Sequence, residues 1–275
     1  MSRRRNVLFG IALAASATLA LAGCASGGDA GEGDETPEAG ATDYGLVEAG
    51  TLTMCSDIPY APFEFEDSST DTGYTGFDID LLGAIAKNLD LKLAVQDVSF
   101  EALTSGTVLL TGDCDMGASA MTITDERKEN LDFSDPYYDS LQSLLVRADS
   151  DIESIDDLAG KTVGVQQGTT GETYTTENAP DDTEIIRYPS DGELWPAIQA
   201  GQIDAILQDQ PVNIEHERAD ATYTIVEEYD TDESYGFAFA KGEKAELIDA
   251  VNAALQELRD DGTYQEIYDT YFAAN

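Results

Sequence analysis

The chain has 275 residues, 42% hydrophobic and 8% aromatic, enough to bury one or two cores. Fourteen Lys+Arg against 55 Asp+Glu give a formal charge of −41. A surface this anionic repels nucleic-acid phosphates and has no basic patch for anionic lipid. The single histidine, His216, sits in the polar run Ile214-Glu215-His216-Glu217-Arg218. It rules out a multi-histidine metal site, and any Ser-His-Asp triad would have to run through it alone. No metal or cofactor is expected.

Three arginines at 3–5 precede an apolar stretch, residues 7–22, interrupted by Ser16 and Thr18. The stretch is short for a membrane span and reads as a secretory signal over residues 1–23. Leu21-Ala22-Gly23-Cys24 resembles the lipobox of bacterial lipoproteins, which implies a lipidated Cys24 as the first mature residue. Several acyl chains on one cysteine would hold the protein on the outer side of the cell membrane. Residues 24–43 combine that cysteine with a Gly/Ala/Asp/Glu-rich tether.

From Leu46 an α/β rhythm begins. Residues 51–55 read as a strand. Asp78 is placed to cap a helix whose Leu82, Ile85, Ala86 and Leu89 share a face. Strands follow at 91–95 and 115–119, with one helix over 101–110 between them. The order recurs as strand 162–165, a helix from Glu172, strand 184–188, helix 193–200 and strand 203–207. Both halves share a glycine-to-aspartate step, Gly112-Asp113-Cys114-Asp115 and Gly201-Gln202-Ile203-Asp204. Two such units predict an α/β protein of two similar lobes with mainly parallel sheets flanked by helices. Two apolar stripes close the chain, from Leu247 to Leu258 and from Tyr264 to Phe272, separated by Gly262.

Ligands of open α/β sheets bind beyond the carboxyl ends of the strands. Four loops lie there, at 56–63, 120–127, 166–171 and 208–211. Arg127 is a rare cation in an acidic chain, either a ligand for an anion or half of a surface ion pair. Gly168-Thr169-Thr170-Gly171 lies between a strand and a helix, as an anion cradle or an ordinary turn and N-cap. Asp209 ends an apolar strand, as a helix cap or an amine ligand. One cation, one N–H cradle and one carboxylate together suit a zwitterion.

Seven ordered runs carry a resemblance: Tyr60-Ala61-Pro62-Phe63-Glu64-Phe65, Gly76-Phe77-Asp78-Ile79-Asp80-Leu81, Ala118-Ser119-Ala120-Met121-Thr122-Ile123-Thr124-Asp125-Glu126-Arg127, Phe133-Ser134-Asp135-Pro136-Tyr137-Tyr138, a run from Leu158 to Thr170 that includes Gln166-Gln167-Gly168-Thr169-Thr170, Asp204-Ala205-Ile206-Leu207-Gln208-Asp209, and Asp261-Gly262-Thr263-Tyr264. Over residues 46–275 the chain resembles family 3 of the bacterial extracellular solute-binding proteins, the amino-acid receptors of ABC importers.

The resemblance implies a periplasmic-binding-protein fold of type II. Lobe 1 would comprise residues 44–139 and 236–275, and lobe 2 residues 140–235, with two hinge strands near 138–140 and 233–236. It implies that Arg127 grips a ligand α-carboxylate with Ser119, Thr122, Thr169 and Thr170, and that Asp209 takes the α-ammonium. Tyr60 and Phe100 would flank the side chain and Asp57 would reach its far end. Ala120 and Gly171 stand where some members carry other side chains, and about two extra residues follow Phe100. The expected function is reversible binding, not catalysis: a monomeric receptor passes an L-amino acid, cationic or amide in its side chain, to a permease and ATPase. The alternatives are a sensor for a membrane signalling partner and a lyase on the same fold. With Cys24 lipidated, Cys55 and Cys114 remain as an even pair in an oxidising compartment, on strands expected to be neighbours; a disulfide is expected, two buried thiols being the alternative.

Overall fold

The computed structural model describes residues 44–273, so the signal segment, Cys24 and most of the tether lie outside the described residues. The chain runs β1 (Thr51–Ser56), a small hairpin of β2 (Phe65–Glu66) and β3 (Tyr74–Thr75), α1 (Phe77–Asn88), β4 (Lys92–Asp97), α2 (Phe100–Thr104), α3 (Thr107–Leu110), β5 (Met116–Gly117) and β6 (Leu131–Phe133). It continues with β7 (Tyr138–Arg147), β8 (Thr162–Gln166), α4 (Thr170–Asn178), β9 (Glu184–Tyr188), α5 (Asp191–Gln199), β10 (Ala205–Asp209), α6 (Gln210–Ala219) and β11 (Tyr223–Tyr235). Strand β12 (Ala238–Ala240) and helices α7 (Ala245–Asp261) and α8 (Thr263–Phe272) complete it.

Two five-stranded sheets result, ordered β4-β1-β5-β12-β6 and β11-β7-β10-β8-β9. Each has three parallel strands extended by antiparallel ones: β12 pairs antiparallel with β5 and β6, and β7 with β10 and β11. The first sheet takes strands from both parts of the chain, before residue 134 and after residue 237. The chain passes between the sheets twice, from β6 into β7 and from β11 into β12. Buried apolar side chains fill separate clusters on each sheet, with Phe63, Phe77, Tyr137, Tyr235 and Phe237 among the largest fully buried in the structure.

The repeated aspartate has a structural reason. In the first half the Asp115 carboxylate accepts from the Thr53 amide at 2.9 Å and the Val47 amide at 2.8 Å. In the second half the Asp204 carboxylate accepts from the Thr162 amide at 2.8 Å. Each aspartate thus ties the strand it precedes to a neighbouring parallel strand through a backbone amide.

Two local expectations change. The helix expected over 101–110 is two short helices, because Gly106 turns through a left-handed φ of 74° between them. Asp78 does not cap α1. Gly76 holds that position at φ 131°, where an added Cβ would lie 2.1 Å from the Phe63 carbonyl oxygen. The Asp78 carboxylate turns inward and accepts from the Ala120 amide at 2.9 Å and the Tyr137 hydroxyl at 2.7 Å. It holds in place Ala120, a non-glycine residue with a φ of 42°. Among the described residues no helix is long and apolar enough to cross a membrane.

Cys55 and Cys114 are joined by a disulfide, their Cα atoms 5.8 Å apart, across the pairing of β1 with β5. The bond closes a loop spanning 59 positions. Cross-linking a loop of that size restricts the unfolded chain by about 4 kcal/mol in the chain-entropy model. The double variant Cys55→Ser, Cys114→Ser is therefore expected to lose stability of that order. Urea unfolding of oxidised wild type and variant measures it, and equal midpoints would refute it.

Candidate functional site

The carboxyl-end loops of both sheets meet at one narrow pocket. Its lining comprises Asp57 and Tyr60 from the loop after β1, Phe100 of α2, Ser119, Ala120, Thr122 and Arg127 from the loop after β5, Gln166 and Thr169 around the end of β8, Thr170 of α4, and Asp209 at the end of β10. The nine residues expected from the sequence thus stand around one pocket. Ala120 and Gln166 join them.

Arg127 is buried at 8% exposure. Its Nη1 donates to the Thr122 carbonyl at 2.7 Å and its Nη2 to the Gly168 carbonyl at 3.1 Å, so the guanidinium reaches from the first-sheet side to the second. The Phe100 ring lies beneath it, 5.2 Å from the guanidinium carbon to the centroid. Burial lowers the arginine's proton affinity, while Asp209 and then Glu233 oppose that loss. Phe100 therefore braces the cation, a contact the sequence reading did not anticipate.

Asp209 is the second anchor. Its Oδ2 accepts from the Tyr235 hydroxyl at 2.6 Å and the Tyr60 hydroxyl at 3.0 Å, and its Oδ1 from Gln142 Nε2 at 2.5 Å. Burial first and Glu233 second raise its pKa to about 6, against the lowering effect of these donors. A carboxylate offers about four lone-pair sites, so one acceptor position remains for an incoming donor. Asp57 lies across the pocket and accepts from Gln166 Nε2 at 2.5 Å, again between the two sheets. Burial raises Asp57 to about 7.

The pocket hydroxyls also hydrogen-bond within the protein. Ser119 Oγ donates to Glu64 at 2.5 Å and accepts from the Asp57 amide at 3.1 Å. Thr169 Oγ1 caps α4, accepting from the Glu172 amide at 3.1 Å while it donates to the Gln166 carbonyl. Thr122 and Thr170 both donate to Glu233 Oε2, at 2.7 and 2.8 Å. At the start of α4 the Thr170 and Gly171 amides precede any intrahelical acceptor and point along the positive end of the helix dipole. Gly171 has a packing reason: an added Cβ would lie 2.9 Å from Gln142 Oε1 and 3.2 Å from the Leu207 carbonyl oxygen.

Behind the pocket two further carboxyl groups, Glu64 and Asp78, are fully buried. Burial and then the Asp78 charge raise Glu64 well above the ordinary range, and burial raises Asp78 to about 7. Two like charges this deep cannot both ionise cheaply, so Glu64 is the member that keeps a proton. Four carboxyl groups around the site (Glu64, Asp78, Asp57 and Asp209) thus bind protons more tightly folded than unfolded. The stability they contribute is present at acidic pH and lost as pH rises through about 6 to 7. Exposed carboxylates shifted the other way, such as Asp132 and Asp149, act only below the ordinary carboxylate range. The melting temperature is therefore expected to be higher at pH 5.5 than at pH 8. A calorimetric scan showing the opposite slope would refute this assignment.

The chain is similar to known proteins of one family. The model of the family "Bacterial extracellular solute-binding proteins, family 3" matches residues 52–274. The chain is 37% identical over 199 residues to the ABC transporter glutamine-binding protein GlnH of Bacillus subtilis (strain 168), covering 70% of this chain and 71% of that one. It is 33% identical over 268 residues to a probable histidine-binding protein of Neisseria gonorrhoeae, covering 95% and 94%. Among solved structures, an ancestral arginine-binding protein bound to arginine superposes with a TM-score of 0.75 at 37% identity, covering 82% of this chain and 99% of that one.

Proposed function

The chain belongs to the bacterial extracellular solute-binding proteins, family 3, and on that premise we propose that it receives an L-amino acid with a cationic side chain, an amide side chain being second, for an ABC importer. The observation that carries this reading is the charge lining the pocket: one guanidinium, Arg127, against two carboxylates, Asp57 and Asp209. The α-carboxylate of the ligand pairs with Arg127, whose fork of N–H donors suits two oxygens, and with the free amides at the start of α4. The α-ammonium takes the open position on Asp209. Asp57 is then left over, and an acidic side chain would be repelled there while a cation or an amide N–H would be held. Relatives named for arginine, histidine and glutamine support the same range. The protein would be held outside the cell by lipid at Cys24 as a monomer, with a permease and its ATPase as partners.

A thermal-shift screen against the standard L-amino acids tests this. Arginine, lysine, histidine or ornithine is expected to give the largest shift, with glutamine next; a largest shift from glutamate or aspartate would overturn the side-chain assignment. Arg127→Ala and Asp209→Ala are each expected to weaken binding by about 2–5 kcal/mol, because each leaves a charged ligand group unpaired in a closed pocket. Calorimetric affinity near wild type would remove that residue from the site.

The pH dependence separates the two carboxylates. A cationic side chain favours ionised Asp57, so its affinity is expected to fall as pH drops through about 7. An amide ligand gains less from that charge and is expected to weaken mainly below about 6, where Asp209 protonates. Parallel titrations with arginine and glutamine measure the difference. Identical pH profiles would count against Asp57 as the side-chain contact.

A further inference from the structure

One buried carboxylate is used by neither end of the proposed ligand. Glu233 lies on β11, 7% exposed, beside the point where the chain returns to the first sheet. Between Gln142↔Tyr229 and Ser140↔Glu233 the pairing of β7 with β11 shifts by two residues, so β11 bulges over residues 230–232. Within the bulge Asp232 takes a left-handed φ of 55°. A bulge of this kind bends a strand and re-aims the side chain that follows. Here it turns Glu233 into the gap between the two sheets.

The carboxylate is held by groups from every part of the molecule that meets there. Thr122, from the loop after β5 of the first sheet, and Thr170, opening α4 on the second, both donate to Oε2. Thr231 donates to Oε1 at 2.7 Å and Gln142 Nε2 at 3.2 Å, both from the crossing strands. Gln142 Nε2 also donates to Asp209, so the two carboxylates share a donor. The Arg127 guanidinium lies within the electrostatic field of both.

We propose that Glu233 is the positioning residue that couples approach of the two sheets to assembly of the pocket, by accepting one threonine hydroxyl from each side on a single oxygen. Thr122 and Thr170 both reach Oε2 only when the two loops face each other at the distance seen here. The α4 amides and the Thr122 carbonyl that orients Arg127 are thereby held in register. Charge penalises any approach that buries the carboxylate without both threonine donors in place, so the sheets come together only in the register that supplies them. This role rests on the reading of the pocket as an amino-acid site.

Glu233→Ala and Glu233→Gln test it in the full chain by amide hydrogen exchange without added ligand and by calorimetry with arginine and glutamine. In Glu233→Ala, exchange over residues 119–124 and 168–172 is expected to rise together, while β1 and β10 stay as protected as in wild type. Binding of whichever of the two amino acids the wild type takes is expected to weaken at least about tenfold, one factor of ten being 1.4 kcal/mol. Glu233→Gln keeps one carbonyl acceptor and is expected to fall between Glu233→Ala and wild type on both measurements. Unchanged exchange in the two loops, exchange raised across β1 and β10 as well, or wild-type affinity in Glu233→Ala would each overturn the proposal. If the wild type binds neither arginine nor glutamine, those two ligands fail by themselves, and the exchange comparison, which needs no ligand, still decides the role of Glu233.

Discussion

A single buried guanidinium surrounded by an excess of buried carboxylate is the constraint around which this molecule is arranged. Arg127 feels the charges of Asp209 and Glu233 and is braced by the Phe100 ring. Burying that much charge is unfavourable unless every charged atom finds a partner. The fold supplies those partners from distant parts of the chain: two tyrosine hydroxyls and a glutamine for Asp209, four donors for Glu233, two carbonyls for Arg127. In the proposed reading, charge left over on the carboxylate side favours a ligand that carries a positive group.

The two-sheet architecture makes this possible because both sheets present their carboxyl-end loops to the same gap. The parallel strands β1 and β5 on one side, and β8 and β10 on the other, deliver the lining residues directly from their ends. The two crossing strands β7 and β11 contribute Gln142 and Tyr235, which donate to Asp209, and Glu233, which accepts from Thr122 and Thr170. The connections between the sheets therefore belong to the site as well as to the scaffold, and a change in how the sheets approach is felt by the same side chains that neutralise the pocket.

Much of this was legible in the sequence for identifiable reasons. Apolar periodicity located α1 and α7, and the glycine-to-aspartate repeat marked the strands that Asp115 and Asp204 tie to their neighbours. Loops at strand ends could be gathered into one site by the topology rule alone; Arg127 stood out as a rare cation in an acidic chain, and Asp209 as an acid just past an apolar strand. Gln166 and Glu233 were missed. Gln166 is a neutral residue at the end of a buried strand, with no pattern to separate it from packing. Glu233 is one acid among many in Tyr229-Asp230-Thr231-Asp232-Glu233-Ser234, and only the bulge gives it a direction. The signal that could have found it was the expected crossing point at 233–236, which promised proximity to both lobes.

By itself the sequence determined the α/β class, the order of the elements, the family and the set of loops that meet, because these follow from short-range periodicity, turn chemistry and ordered motifs. The tertiary structure alone decided which atoms of those residues are free. The resemblance implied ligand contacts for Ser119, Thr122, Thr169 and Thr170; the structure lines the pocket with all four and adds hydrogen bonds from their hydroxyls to Glu64, to Glu233 and within a helix cap. Asp78 reads as a cap and is instead a buried brace for Ala120. The physical reason is that a buried polar group bonds to whatever partner the fold brings within about 3 Å, and that partner is usually remote in sequence. Composition can announce that a donor exists, but only packing settles where its hydrogen bond goes.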